Sequence, residues 1–527
     1  MIGGGLDPIP ITAETIAVDN LDQRQRQCIL YAFAGSLVCS EEFGGPVLDD
    51  LARYLELVDL SSPSWSTTLL PLLENTHCIK PFVDDLNIDD KQARARVVLI
   101  LLHFCLVRFK AYDSRIRVAL FRVADAMHIP RLWVCAEESI YIRLLLTEAR
   151  SDNNASKKKD KKLSRWMKVG AAAAVGAGLM VITGGLAAPA IGLGVSALGI
   201  TSVGTFLGSA TGAAIVTGLF GVGGGGLASY KMHRRVGALS NFGFVPVCND
   251  GSVHLTICIS GILLPEFDNA VIWQQLKPDL EQTWADIYCL EWETQALLDA
   301  GSAVTDFVGS QASTFVLKEG LKQTVLNSMM AAVALPAVVM SAGYLIDNPW
   351  GVLISKADQA GDELAQVLLD GVHGNRPVSL IGFSAGARLI LRALETLAER
   401  RAFGIIQDVF LLGCPGWSSN WTGIRQVVAG RIVNAYSPED WTLKYVYRAA
   451  AVSFSAFGLK PVEDPSVQNV DVTPITRGKH TNYCRHLAQL IACLNLTGSQ
   501  ALDPSQFIDG LSTGPDQYDD SVESEAD

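Results

Sequence analysis

Ser384 stands in the run Gly382-Phe383-Ser384-Ala385-Gly386, which has the G-x-S-x-G spacing of a nucleophile elbow. A serine hydroxyl is a weak nucleophile until a neighbouring base takes its proton. That base in turn needs an acid to orient it and to stabilise its cationic form. Downstream, Asp440 follows Tyr436-Ser437-Pro438-Glu439, and His480 follows Thr476-Arg477-Gly478-Lys479. Ser, Asp, His is the chain order in which an α/β-hydrolase fold carries nucleophile, acid and base. The chemistry such a set performs is hydrolysis of an ester through an acyl-enzyme, or acyl transfer to an acceptor other than water. Glu439 is the rival acid, and Asp440, directly before Trp441, could instead cap a helix. His486 is the rival base, within an expected helix from Tyr483 through Ile491. His373 precedes the nucleophile strand, at its far end from the elbow. The oxyanion hole needs backbone N–H donors. Ala385 is expected to supply one, and Gly261 or Ile262, closing an early strand, the other; Gly261 could equally serve only to shape a turn.

These residues need a scaffold that presents them together. Pro377-Val378-Ser379-Leu380-Ile381 reads as a buried strand, and the run through Arg388, Leu389, Leu394 and Leu397 as an amphipathic helix. Further strands are expected at 254–259, 286–292, 408–412, 431–436 and 469–472. Strand and helix signals alternate, so the fold class is α/β, an α/β-hydrolase parallel sheet occupying residues 240–500. Residues 1–150 read as an N-terminal helical region, with apolar residues at helical spacing in 28–33, 97–102 and 116–126. His77, His103 and His128 in that region read as core or surface histidines.

The chain has 527 residues, a net charge of −12, 49% hydrophobic residues and a mean hydropathy of +0.26. The acidic balance argues against a nucleic-acid partner. The hydropathy points to membrane-embedded segments. Residues 151–168 form a basic linker around Lys157-Lys158-Lys159-Asp160-Lys161-Lys162. Residues 169–230 are apolar and Gly-rich, without a charge until Lys231. One membrane-spanning helix takes about 20 apolar residues, so this stretch suffices for a spanning hairpin; the other readings are a re-entrant or interfacial hairpin and a Gly-rich buried core element or loop. Basic residues on both flanks put both of its ends, and the catalytic domain, on the cytosolic side, and the lysines suit anionic headgroups. Gly204, Gly208 and Gly212 would make a flat stripe for close helix packing. A second apolar run, Met329 to Leu345, contains Pro336 and reads as a core helix. The tail 501–527 is acidic and expected to be disordered. Eleven scattered cysteines without a C-x-x-C pair argue against a metal site or a disulfide framework. The N-terminus lacks the pattern of a secretory signal. No cofactor-binding pattern stands out.

Several blocks together are family-like. They include Tyr230-Lys231-Met232 with Arg235, Phe242-Gly243-Phe244-Val245-Pro246, Asp347-Asn348-Pro349-Trp350, Ile381 through Arg388, Asn434-Ala435-Tyr436-Ser437 and Asp440-Trp441. In these the chain resembles the transmembrane and coiled-coil domain-containing protein 4 family over about residues 90 to 490. The resemblance implies a membrane-associated α/β-hydrolase domain. It implies membrane lipids and a lipid or other ester as partners. From fungal relatives it also implies a link to Golgi and endosome trafficking, and hence an alternative reading as a catalytically silent scaffold or adaptor with trafficking partners. The chain departs from the family at Ala385, where bulkier residues are usual. It departs from hydrolases generally at Lys479, where glycine is commoner.

Overall fold

The computed structural model describes residues 6, 9–12, 14–37, 41–57, 79–108, 112–144, 227, 239–249, 251–264, 269–274, 285–316, 349–447 and 456–507. The architecture is mixed α/β. Seven strands form one sheet: β1 (Phe242–Cys248), β2 (His254–Ile259), β3 (Ala285–Trp292), β4 (Val378–Phe383), β5 (Ile406–Leu412), β6 (Ile432–Tyr436) and β7 (Val467–Asp471). Their order is β1-β3-β2-β4-β5-β6-β7. Every residue of β2, β4 and β5 is buried. Their near-continuous apolar runs suit a parallel sheet covered on both faces.

β1 departs from the expected all-parallel sheet. It runs antiparallel to β3, pairing Phe242 with Trp292 and Cys248 with Ile287. The sequence pattern hides it because Gly243 and Pro246 interrupt its apolar alternation. Pro246 has no N–H to donate, and an edge strand is where a sheet tolerates that. The register slips between Pro246 and Cys248.

The parallel strands give the sheet a carboxyl edge, where they end, and an amino edge, where they begin. The N-terminal helices pack at the amino edge. They are α1 (Gln23–Ser36), α2 (Glu41–Tyr54), α3 (Lys91–His103), α4 (Ser114–Ala126) and α5 (131–144). Side-chain caps start three of them: Asp22 with Gln25 in a capping box, Asp90 on Ala93, and Asp113 on Arg115 and Ile116. Their apolar faces close a core of their own, which also takes in Val253, just ahead of β2.

Polar contacts from α4 tie this bundle to the sheet. Ser114 donates from N to Gly404 O at 3.0 Å and from Oγ to Ile405 O at 2.7 Å. Arg117, 1% exposed, grips Glu138 through Nε and Nη2 and donates from Nη1 to Gln407 Oε1 at 2.7 Å. Tyr112 donates to the same Glu138 carboxylate. Arg117→Met leaves that carboxylate buried without its cation. It should cost about 3–5 kcal/mol, read from urea melts, and Arg117→Met combined with Glu138→Leu should recover most of the loss.

Several expectations fall outside the described residues: the basic linker, nearly all of the apolar stretch 169–230, the run Met329 to Leu345, and residues 508–527. Among the described residues no helix is long and apolar enough to cross a membrane. The start of the expected tail is ordered. Leu502 N donates to Cys493 O at 2.8 Å, and Pro504–Phe507 forms a short helical turn.

Candidate active site

The elbow forms where β4 meets the helix Ala385–Glu399, here α9. Between them Ser384 has φ 55° and ψ −130°, a region that side chains other than glycine seldom adopt. Such strain costs on the order of 1–3 kcal/mol and persists only where the surroundings enforce it. Here Ser384 N donates to Leu412 O of β5 at 2.9 Å, and Ala387 N returns to Ser384 O at 2.9 Å. The loop after β2 presses on the turn from the other side. A Cβ on Gly386 would lie 2.4 Å from Ile259 O, and one on Gly261 would lie 1.9 Å from Phe383 O and 2.3 Å from Ala385 N. Only glycines permit this interlock.

Ser260, ahead of Gly261, is held twice. Trp273 Nε1 donates to its hydroxyl at 2.9 Å and Trp292 Nε1 to its carbonyl at 3.0 Å. Trp273 lies on α6 (Asn269–Gln274), and its ring also packs on Phe383, 6.1 Å between centroids. Leu263 N is occupied by Leu297 O. The Ala385 N–H belongs to the first turn of α9, where amides have no intrahelical acceptor. Gly261 therefore lies against the elbow beside the Ala385 N–H, which has no acceptor within its own helix.

His480 Nε2 is 2.7 Å from Ser384 Oγ, and His480 Nδ1 is 2.6 Å from Asp440 Oδ2. All three residues are at most 1% exposed. An ionised carboxylate only accepts, so Nδ1 carries the ring proton and Nε2 is left as an acceptor facing the serine O–H. The other oxygen, Asp440 Oδ1, accepts from Leu443 N at 3.0 Å. The capping and imidazole-orienting readings of Asp440 thus coexist, one on each oxygen. Trp350 and Tyr483 stand edge-on to the His480 ring, at 5.8 Å and 5.5 Å. Burial and nearby Asp440 push the Tyr483 phenol well above its ordinary range, so it stays neutral. These flanking aromatics and the two tryptophans on Ser260 have no local sequence signature, because each meets its partner only through the fold.

The rivals lie elsewhere. Glu439 is exposed, and Trp441 N, just beyond Asp440, donates to Gly478 O at 3.2 Å, which locks the two loops together. His486 is not within a continuous helix; it occupies the break between the helices Asn482–Arg485 and Leu487–Leu494. His373 lies ahead of β4 at the amino edge, where burial and Arg376 depress its pKa to about 3. The glycine missing at Lys479 is present one residue earlier. Gly478 takes φ 71°, and a Cβ there would lie 2.9 Å from Glu439 O.

A family profile described as "Protein of unknown function (DUF726)" matches residues 161–497, well over half of the chain. The chain belongs to the DUF726 family. Among its relatives, a rice (Oryza sativa subsp. japonica) protein named "Transmembrane and coiled-coil domain-containing protein STS1" is 36% identical over 73% of this chain and 61% of that one. A Caenorhabditis elegans protein named "Uncharacterized membrane protein" is 33% identical over 72% of this chain and 63% of its own length. A Saccharomyces cerevisiae protein named "Probable lipase MIL1" is 31% identical over 77% of this chain and 39% of its own. The matched region thus spans less than two thirds of each of these DUF726 relatives. No solved structure matches significantly.

Proposed function

We propose that this chain is a membrane-associated serine hydrolase, an esterase or lipase working through an acyl-enzyme. The observation that carries the reading is the pair of short contacts from His480, 2.7 Å to Ser384 and 2.6 Å to Asp440, at a serine held in elbow conformation. In this reading His480 Nε2 takes the Ser384 proton as Oγ attacks an ester carbonyl. Asp440 holds the imidazolium that results. The N–H groups of Ala385 and of Gly261 or Ile262 receive the oxyanion. His480 then protonates the departing alcohol, and water, activated the same way, frees the acid. No cofactor enters the cycle.

A lipid ester as substrate is supported by the apolar stretches of the sequence and by the yeast relative's name. A membrane hairpin in 169–230 and the narrower resemblance to the transmembrane and coiled-coil domain-containing protein 4 family are parts of the same reading. One observation favours a second reading. The three side chains are fully enclosed, as they would be in a catalytically silent scaffold for trafficking partners.

Fluorophosphonate labelling of the detergent-solubilised full chain separates the two. We expect wild-type labelling that is abolished in Ser384→Ala. Folded wild-type protein that stays unlabelled would turn the assignment toward the scaffold.

A further inference from the structure

The loop that leaves β2 is gripped at both ends. Ser260 accepts two indole protons, from Trp273 on its hydroxyl at 2.9 Å and from Trp292 on its carbonyl at 3.0 Å. Three residues on, Leu263 N donates to Leu297 O at 3.1 Å, on α7 (Thr294–Val316). A Cβ on Gly301 of the same helix would lie 2.0 Å from Leu263 O. Between the two anchors come the N–H groups of Gly261 and Ile262. Both residues are buried, and neither N–H finds an acceptor among the described residues. Nearly all buried N–H groups in folded proteins are paired, so two in succession without an acceptor call for a use.

The two indoles act on the direction of those amides. A peptide unit is planar, so the Ser260 carbonyl and the Gly261 N–H turn together and point in opposite directions. The bond from Trp292 to that carbonyl therefore sets where the Gly261 N–H points, and the Ile262 N–H follows one residue on. Trp273 holds the side chain of the same serine from a second element. Any core carbonyl would satisfy a buried indole. Here two indoles, both fully buried, converge on the one residue that precedes Gly261.

The supports are themselves fixed. The Trp273 ring packs on Phe383, the residue before the nucleophile. Trp292 closes β3, and Glu293 after it accepts from Ser240 Oγ at 2.9 Å and from Lys356 on α8 (Pro349–Leu369). Both indole N–H groups are committed to Ser260, whereas Ser384, His480 and Asp440 are joined to one another.

We infer that Trp273 and Trp292 are positioning residues of the oxyanion hole, whose N–H groups hold Ser260 so that the amide after it faces the substrate oxygen at Ser384. The inference rests on the serine-hydrolase reading above and deepens it. Neither indole needs to touch the reacting atoms, because each acts through the serine it holds. The negative oxygen develops in the transition state, so a misdirected amide weakens that state and leaves ground-state binding alone. The proton path from Ser384 to His480 is untouched.

The test compares the detergent-solubilised full chain with Trp292→Phe and Trp273→Phe, which keep an aromatic ring and lose the N–H. The probes are hydrolysis of p-nitrophenyl butyrate and, in parallel, the rate of fluorophosphonate labelling. In Trp292→Phe we expect kcat and the labelling rate to fall about 10- to 100-fold, with KM within about twofold and the pH dependence of kcat unmoved. Trp273→Phe should show the same pattern with a smaller fall. Trp292→Phe added to Gly261→Ala should lower kcat by no more than about threefold further, since both act on one peptide. Rates within about twofold of wild type in both variants would overturn the assignment and leave the indoles as core. A fall that brings a shifted pH dependence, or that multiplies in full with Gly261→Ala, would place the damage at His480 or in the fold at large and overturn it as well. Should Trp292→Phe not fold, Trp273→Phe decides by the same criteria, and should the ester not be a substrate, the labelling rate decides. Wild-type protein that neither hydrolyses the ester nor takes the label would overturn the hydrolase reading, and the positioning role with it.

Discussion

Asp440→Asn should lower ester turnover and the rate of fluorophosphonate labelling by about 10⁴-fold while leaving the melting temperature nearly unchanged. The two halves of this expectation come from the two carboxylate oxygens. Oδ1 takes the Leu443 N–H and Oδ2 takes His480 Nδ1. An asparagine can keep its carbonyl oxygen on Leu443, so the turn after it survives. Its amide then faces Nδ1 as a donor. The imidazole must answer by moving its proton to Nε2, the nitrogen 2.7 Å from Ser384 Oγ. A protonated Nε2 cannot accept the serine proton. Activity within about tenfold of wild type would show that Asp440 serves only as a cap and would remove it from the proposed catalytic set.

Gly261→Ala should have the second largest effect. The added methyl would lie 1.9 Å from Phe383 O, 2.3 Å from Ala385 N and 2.5 Å from Gly386 N. All three are backbone atoms of the elbow, so no side chain can swing aside. The loop after β2 and the turn must separate, and the proposed oxyanion donors move apart with them. We expect a loss of about 10²–10³ in kcat, the range for an oxyanion donor put out of place. Overpacking should add a stability loss of about 1–3 kcal/mol in denaturant melts. Gly351→Ala is the matched control. A methyl there meets nothing within 4 Å, and in a helix it should stabilise by up to about 1 kcal/mol. Equal activity in the two variants would show that the Gly261 contact has no bearing on the elbow.

Much of the sheet was legible because parallel strands buried on both faces must be apolar throughout. Runs such as His254–Ile259 and Asp408–Leu412 can be read with no knowledge of their neighbours. β1 was not legible, since Gly243 and Pro246 break its alternation and its strand character comes from pairing with β3. At the site, chain order pointed to Ser384, Asp440 and His480, and the fold brings these three within hydrogen-bond distance. Their rivals were indistinguishable by residue type. Exposure sets Glu439 apart, a helix break sets His486 apart, and position at the amino edge sets His373 apart. The two readings of Asp440 stayed open because a sequence does not show that one carboxylate can face two ways. Trp273, Trp292, Trp350 and Tyr483 escaped notice for a related reason. A buried tryptophan is ordinary core until the atom that its N–H reaches is known.

The seam at the amino edge bears on where this protein can be divided. The stretch shared with the family begins at residue 161, and a recombinant fragment started there would look natural. It would lack the helix that carries Ser114, Arg117 and Arg122. The carbonyls of Gly404, Ile405 and Ala429 would lose their donors, Gln407 would lose its guanidinium, and Val253 its apolar shelter. The raw end of the sheet would then be open to any other chain in solution. The helical bundle is the floor on which the strands stand, and the smallest unit that folds should include it.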